Sequence, residues 1–320
     1  MDDRYSFINC SVIVLVYNCE VEDLVNTLKS VLRQKNVNME IIIADDCSKI
    51  DYKSCIDNCM EKNSNYQYIK NKGNIGTVKN MINAVKKCNY KYVKAIGCGD
   101  ILYADNVLFD TFSYMKLNEY HICFTKGKAY KFVDNSLYVS NFDSPYIVKP
   151  YIINKTSAIL RNLIIYSDQI SGALTFYTKE KFIQYLEIIE NKIIYTEDYI
   201  PRLIALNEEN IGFYGCNTVL YQYGTGISTK KSKNSLQRIA DDELSFIRLI
   251  KKYSKDPYVK KYLMFCSLKS ENSLVRFIKK CLISQHYFIY YIISTYRRRN
   301  NFSKWTKMSD YEELGGIRCK

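Results

Sequence analysis

Four short apolar runs alternate with helical stripes over the N-terminal third of this 320-residue chain, and that alternation leaves few folds open. Ser11–Val16, Glu40–Ala44, Tyr66–Lys70 and Lys91–Ile96 have the length expected of strands, and Glu40–Ala44 has the β-branched content of a buried one. Between them, Val21, Leu24, Val25, Leu28, Val31 and Leu32 recur at helical spacing. Ser54–Lys62 reads as a second helix, and Val78, Met81, Ile82 and Val85 form a third stripe. Strand and helix in strict turn predict an α/β fold: a mostly parallel sheet flanked by helices on both faces.

Past residue 105 the pattern loosens. Val107–Lys116, Thr156–Tyr166 and Glu197–Glu208 read as helices. His121–Thr125, Ala129–Val139 with a turn near Asp134-Asn135, Ala173–Tyr177 and Thr218–Tyr223 read as strands. From Leu236 onward two or three helices and no strand are expected, after a soft boundary near Lys230–Ser235. Charge divides at the same place. Residues 1–229 hold 25 Lys+Arg against 25 Asp+Glu, whereas residues 230–320 hold 21 against 8 and so carry the entire +13. An excess confined to one end calls for an anionic partner there. The 12 Cys show no Cys-x-x-Cys, and with two His a zinc site is not expected. Free thiols in a reducing, cytoplasmic compartment are expected instead. Met1-Asp2-Asp3-Arg4 lacks a basic stretch leading into an apolar one, so no signal peptide is predicted.

The ends of the strands carry the chemistry. In an open α/β sheet the ligand crevice lies at the carboxyl ends of the strands. The first run ends in Val16-Tyr17-Asn18, the second in Asp45-Asp46 followed by Ser48, and the fourth in Gly97-Cys98-Gly99-Asp100. An aromatic ring, an amide and carboxylates collected there suit a nucleotide base, a ribose and a metal-bound diphosphate. Ser11–Asn18 and Asp45-Asp46-Cys47-Ser48 resemble the opening of family 2 glycosyltransferases of the GT-A fold, a Rossmann-like nucleotide-diphospho-sugar transferase architecture. Asn71-Lys72-Gly73-Asn74-Ile75-Gly76-Thr77-Val78-Lys79-Asn80 resembles the family's Gly-containing loop into a helix, and Gly97–Asp100 stands where the family carries its Asp-x-Asp variant. The resemblance covers residues 8–110 well and 170–228 more weakly. It implies a catalytic domain over 1–232, with a nucleotide-sugar half at 8–110 and an acceptor half at 111–232. A basic, mainly helical region follows over 233–320.

The resemblance also implies roles. Val16, Tyr17, Asn18, Asp45 and Asp46 would border the base of a nucleotide-sugar donor, with Tyr17 stacking on uracil and Asp46 accepting a hydrogen bond from it. Asp45-Asp46-Cys47-Ser48 equally suits a strand end that caps a helix. Lys79 stands where the family often has an Arg, either as a phosphate contact without bidentate geometry or as a solvated helix Lys. Asp100 would be the ligand of Mn²⁺ or Mg²⁺ on the diphosphate. Gly99 departs from the family here, where relatives have a second Asp. Glu197-Asp198 resembles the Glu-Asp motif whose Asp is the general base that deprotonates the acceptor hydroxyl. The same pair after Thr196 also suits a helix start. Gly172, in Ser171-Gly172-Ala173, resembles the stretch bordering the acceptor. Tyr221–Ser228 resembles a late Tyr-Arg-x-His-x-x-x-Ser stretch, with Gln222 at the Arg and Gly224 at the His.

The implied reaction is an inverting, metal-assisted transfer of a hexosyl or N-acetylhexosaminyl group. It would run from a nucleotide donor, UDP-linked, to a saccharide or lipid-linked saccharide, as in capsule or lipopolysaccharide assembly. A nucleotidyltransferase of similar architecture is the rival enzyme, yet Val16–Glu20 lacks its Gly-rich basic loop. A basic nucleic-acid-binding protein is the rival without catalysis; no nucleic-acid-binding signature occurs, and no nucleic acid is expected. Residues 279–299 hold the apolar, aromatic run Cys281–Tyr296 between basic flanks. That run is shorter than the roughly 20 residues a spanning helix needs. It suits one helix lying on an anionic membrane surface, at the inner face of the cytoplasmic membrane, or a core helix with a solvated basic end.

Overall fold

The computed structural model describes residues 7–60, 65–134, 136–225, 232–300 and 304–307, and of 297–300 the backbone alone. In its N-terminal half, β1 (Ile8–Val16), α1 (Val21–Leu32), β2 (Val37–Asp45), α2 (Lys53–Met60), β3 (Tyr66–Lys70), α3 (Thr77–Lys87) and β4 (Tyr92–Gly97) follow in the expected order. β3, β2, β1 and β4 lie side by side and parallel. The order turns back at β1, so a crevice opens at the carboxyl ends of β1 and β4. Side chains alternate between two cores, as the twofold period of a strand dictates. Val12, Val14, Val16, Ile41 and Ile43 meet α1 and α2 through Leu24, Leu28, Val31 and Ile56. Ile13, Ile42 and Ala44 meet α3 through Val78, Met81, Ile82 and Val85 on the opposite face. Both faces are covered, which explains the uninterrupted apolar runs.

The second half adds β5 (Ile101–Leu102), α4 (Val107–Leu117), β6 (Ile122–Val133), β7 (Ser136–Phe142), α5 (Lys149–Ile152), α6 (Thr156–Ile164), β8 (Thr175–Thr178), α7 (Lys179–Ile189), α8 (Ile200–Leu206) and β9 (Gly212–Gln222). β8 runs antiparallel to β4 and β6, β7 antiparallel to β6, and β9 parallel to β6 but antiparallel to β5. Among the described residues these nine strands form one sheet, to which the C-terminal region adds a tenth strand. The helix expected over Glu197–Glu208 is instead a 3-10 turn at Glu197–Tyr199 followed by α8, with Pro201 in the first turn of α8. Helix α7 has no counterpart in the sequence reading. The turn residue Asn135 and residues 61–62 of the expected second helix lie outside the described residues.

The C-terminal region holds four helices where two or three were expected: α9 (Lys233–Ile250), α10 (Pro257–Ser267), α11 (Ser273–Ile283) and α12 (Tyr287–Asn300). Three begin at a capping side chain. Ser232, Asp256 and Asn272 accept backbone N–H groups of their own first turns. The apolar run Cys281–Tyr296 is correspondingly two helices, not one, because the chain breaks at Ser284, which is extended. A two-residue strand that was not expected, β10 (Thr306–Lys307), pairs with β7. Helices α9 and α10 are joined to the rest of the fold: Phe246, Ile250, Val259 and Phe265 share a core with Val78, Leu163 and Leu203.

Candidate active site

At the end of β1, Tyr17 is 49% exposed, so its ring face is open to a partner. Asn18 sits in the left-handed region (φ 47°) and clasps the loop after β2. Its N–H donates to Ser48 Oγ (2.9 Å) and its Oδ1 accepts from Lys49 N (2.9 Å). Val16 is buried, and its carbonyl accepts from Asp46 N at 2.9 Å. Asp45 is fully buried; its carboxylate accepts from Ser48 N (2.8 Å) and Tyr68 Oη (2.8 Å). Asp46 accepts from Ile75 N (2.9 Å), Asn71 Nδ2 (3.1 Å) and Gly76 N (2.9 Å). Both carboxylates therefore hold loops. Asp46 ties the end of β2 to the Asn71–Gly76 loop that leads into α3, whose first turn carries the half-buried Lys79. Asn71 is a site residue that motif reading did not single out by role.

The turn after β4 is held from three sides. Gly99 lies at φ 94°, a conformation that disfavours any side chain. Its N–H donates to Thr27 Oγ1 of α1 (2.9 Å), and its carbonyl accepts from Tyr130 Oη of β6. A Cβ at Gly99 would collide with the side-chain amide of Gln222. The two departures from the family pattern, Gly99 and Gln222, are thus one feature: the amide fills the space a larger residue at 99 would need. Gln222 Nε2 donates to Asp23 (2.9 Å), and Gln222 N–H donates to Asp100 Oδ1 (2.9 Å). Asp100 is 7% exposed. Burial pushes its carboxyl up to about 7, against the pull of the Gln222 amide and of Lys94. Lys94, fully buried in β4, is pushed down to about 7 by the same cause, with Asp100 opposing. Its ammonium donates to the carbonyls of Ala173 (2.6 Å) and Thr175 (3.2 Å), so it links the Asp100 turn to the stretch that follows Gly172. A Lys inside an otherwise apolar strand was the signal for it.

Ahead of β8, Gly172 and the Glu197-Asp198 pair meet although 25 positions or more apart in sequence. Gly172 N–H donates to Asp198 Oδ1 at 2.5 Å. A Cβ at Gly172 would lie 2.6 Å from Glu197 Oε1 and 2.9 Å from Asp198 Oδ1, so only glycine allows the approach. Desolvation, then the charge of Asp198, pushes Glu197 up to about 8. Desolvation pushes Asp198 up to about 6, with the Gly172 amide and Arg202 opposing. Both carboxyls are thus raised by desolvation, Glu197 further by the charge of Asp198, so the pair holds a proton far more readily than free carboxylates do. A pair of that kind can accept a proton.

A divalent ion at the turn after β4 would find one carboxylate within that turn, Asp100. Gly97 and Gly99 add no side-chain oxygen, and among the described residues no group of three His, Cys, Asp or Glu forms a metal cluster. The second oxygen of Asp100, together with diphosphate and water oxygens, matches what Mg²⁺ or Mn²⁺ accepts. The free-thiol expectation needs correction at one place: Cys19 and Cys98 form a disulfide. They are 79 positions apart, but β1 and β4 are neighbours and Cys98 N–H donates to Leu15 O (2.9 Å). Sequence spacing could not reveal that pairing. The remaining described cysteines are free. Gly226-Ile227-Ser228 of the late motif lie outside the described residues.

Residues 11–172 match the family model described as Glycosyl transferase family 2. The uncharacterized glycosyltransferase RC0461 of Rickettsia conorii (strain ATCC VR-613 / Malish 7) is 32% identical over 144 residues, covering 41% of this chain. The chain spans only 22% of that relative's length. Among solved structures, S. aureus TarS 1-349 in complex with UDP-GlcNAc aligns over 95% of this chain and 97% of its own, with 13% identity and a TM-score of 0.51. A second structure of TarS 1-349 aligns with the same coverage, 14% identity and a TM-score of 0.50. At such identities the likeness shows the fold, an α/β sheet of GT-A type with C-terminal helices.

Proposed function

The chain belongs to glycosyl transferase family 2, and on that premise we propose that it moves a hexosyl or N-acetylhexosaminyl group from a UDP-linked donor to a saccharide hydroxyl with inversion. The observation that carries this is the Gly172–Asp198–Glu197 constellation, two neighbouring carboxyls of raised proton affinity, with Asp198 held by the Gly172 N–H. Asp198 takes the proton of the acceptor hydroxyl as its oxygen attacks the anomeric carbon, and the bond from that carbon to the donor diphosphate breaks. With one base and no protein nucleophile, the anomeric configuration inverts. Tyr17 stacks on the base, Asp45 and Asp46 hold the loops around it, and Lys79 faces the phosphates. Asp100 would hold Mn²⁺ or Mg²⁺, which would supply stabilisation of negative charge on the leaving diphosphate. The UDP-GlcNAc complex of TarS 1-349 supports the choice of a uridine donor.

The acceptor is a saccharide, lipid-linked, presented at the inner face of the cytoplasmic membrane as in capsule or lipopolysaccharide assembly. Helices α11 and α12 expose Leu274, Ile278, Leu282, Phe288, Ile289 and Ile292, beside Lys279 and Lys280. No described helix is long and apolar enough to cross a membrane. An apolar face with basic neighbours suits attachment to anionic lipid. The test is turnover and thermal stabilisation across a panel of nucleotide sugars with and without Mn²⁺, with sedimentation on anionic and neutral vesicles alongside. Absence of any sugar transfer or donor hydrolysis across the panel sinks the assignment. Equal sedimentation on both vesicles sinks the membrane part alone.

A further inference from the structure

Asp242 lies on α9, in the C-terminal region and beyond the residues the family model matches. It is 2% exposed. Its carboxylate accepts three successive backbone N–H groups from the loop ahead of the acceptor-side pair: Ile194 (2.9 Å, Oδ1), Tyr195 (2.8 Å, Oδ2) and Thr196 (2.9 Å, Oδ2). Three charge-assisted bonds converging on one buried carboxylate fix a backbone far more firmly than a turn of its own could. The next two residues are Glu197 and Asp198.

The same loop is gripped from the other side. Val78 N–H, in the first turn of α3, donates to Ile194 O (3.0 Å), and Gly76 packs against Ile194 so closely that a Cβ would overlap it. Helix α9 adds two more contacts at helical spacing from Asp242. Arg238 lies over the Tyr195 ring (4.7 Å), and Phe246 stacks on Tyr199 (4.2 Å). Residues 238, 242 and 246 share one face of α9. That face grips the chain just before and just after the carboxylate pair.

We infer that Asp242 is a positioning residue for the transfer reaction: it fixes the Ile194–Thr196 backbone and thereby sets where Asp198 meets the acceptor hydroxyl. The inference rests on the proposed role of Asp198 as base. Displacement of a base by about 1 Å can cost on the order of a hundredfold in rate. Asp242 also acts by charge. The groups facing Glu197 are Asp198 in the same turn, Asp242 from α9 and Tyr177 from β8, while Arg202 of α8 acts on Asp198. A neutral residue at 242 removes one of the negative charges that keep the Glu197 proton in place.

The test is Asp242→Asn in the full chain, with steady-state kinetics, a pH profile and donor-induced thermal stabilisation. The expected result is a kcat loss of about tenfold to a hundredfold, unchanged donor stabilisation, and an inflection due to Glu197 displaced to lower pH. Asp242→Glu, which keeps the charge but pushes the oxygens out of place, is expected to lose kcat with that inflection unmoved. Should neither variant fold, hydrogen exchange on the unaltered protein decides: the amides of 194–196 must exchange as slowly as those of β1. Exchange as fast as the exposed loops, a wild-type kcat in Asp242→Asn, or a loss confined to donor KM overturns the inference. If Asp198→Asn keeps full turnover, the base assignment fails instead, whatever Asp242 does. If Asp198→Asn is inactive and Asp242→Asn is normal, only the role of Asp242 fails.

Discussion

Asp46 opens the loop after β2 and Asp198 lies in the 3-10 turn ahead of α8, and their surroundings put the two carboxylates to different uses. Asp46 accepts hydrogen bonds from two backbone N–H groups and an amide, so its charge is consumed in holding the Asn71–Gly76 loop. Asp198 accepts one backbone N–H and is desolvated beside Glu197, so its proton affinity rises toward neutrality. A saturated carboxylate is a structural anchor; an under-supported one in a dry site is poised to take a proton. The loop after β2 is thus held by carboxylates used as anchors, whereas Asp198, like Asp100 at the turn after β4, has its proton affinity raised by burial.

The contrast breaks most visibly at Asp198. Asp198→Asn is expected to lower kcat by about a hundredfold to ten-thousandfold while donor-induced stabilisation stays within about twofold, because loss of a general base costs that much. Asp46→Ala should do the reverse. It leaves the N–H groups of Ile75 and Gly76 without their acceptor, at a cost of about 1–3 kcal/mol for each buried donor. Denaturant unfolding should therefore show a loss of roughly 2–6 kcal/mol, accompanied by weaker donor binding. Equal losses of kcat in the two variants, with no change in stability for either, would erase the distinction between anchor and base.

How much of this could be read from the sequence follows the same division. On the donor side each group lies within a few residues of a strand end, so Tyr17, Asp45, Asp46 and Asp100 stood out in short contiguous motifs. The acceptor pair was also visible as a motif, but what makes it work was not. Gly172 reaches Asp198 across 26 positions, and Asp242 reaches the Ile194–Thr196 loop across 46 to 48. Gln222 meets Asp100 across 122 and Asp23 across 199. Contacts of that span depend on the topology of the second half, where β6, β8 and β9 mix parallel and antiparallel pairing. Local patterning carries no record of it. The C-terminal helices were legible as helices, and their number was not, because the segment holds many Ser, Asp and Asn residues and only the folded backbone shows that Ser232, Asp256 and Asn272 are the ones that cap.

The pH profile sharpens the comparison further. A base works ionised, so the rate should fall as pH drops through about 6, where Asp198 takes its proton. A second inflection near 8 should mark the proton of Glu197, and it should vanish in Glu197→Gln. A profile flat between 5 and 9 with chemistry rate-limiting would remove the acceptor pair from the mechanism. On the donor side the corresponding probe is the cation. Asp100→Ala should abolish the part of donor stabilisation that depends on Mn²⁺ and leave the remainder, since Asp100 is the one carboxylate at that turn. An unchanged Mn²⁺ dependence would place the ion elsewhere.

Tyr17→Ala should give the smallest effect of the set, and its size carries the argument. The ring is half exposed and no described hydrogen bond holds it, so its removal costs the fold little. Stacking on a base contributes about 0.5–1.5 kcal/mol beyond the area it buries, which weakens donor affinity by roughly twofold to tenfold. Titration with UDP alone should show nearly the same loss as titration with the intact sugar nucleotide, because the ring would touch the base and not the sugar. A loss seen with the sugar nucleotide but absent with UDP would move Tyr17 away from the base, and the cleft would then hold its donor by the diphosphate end.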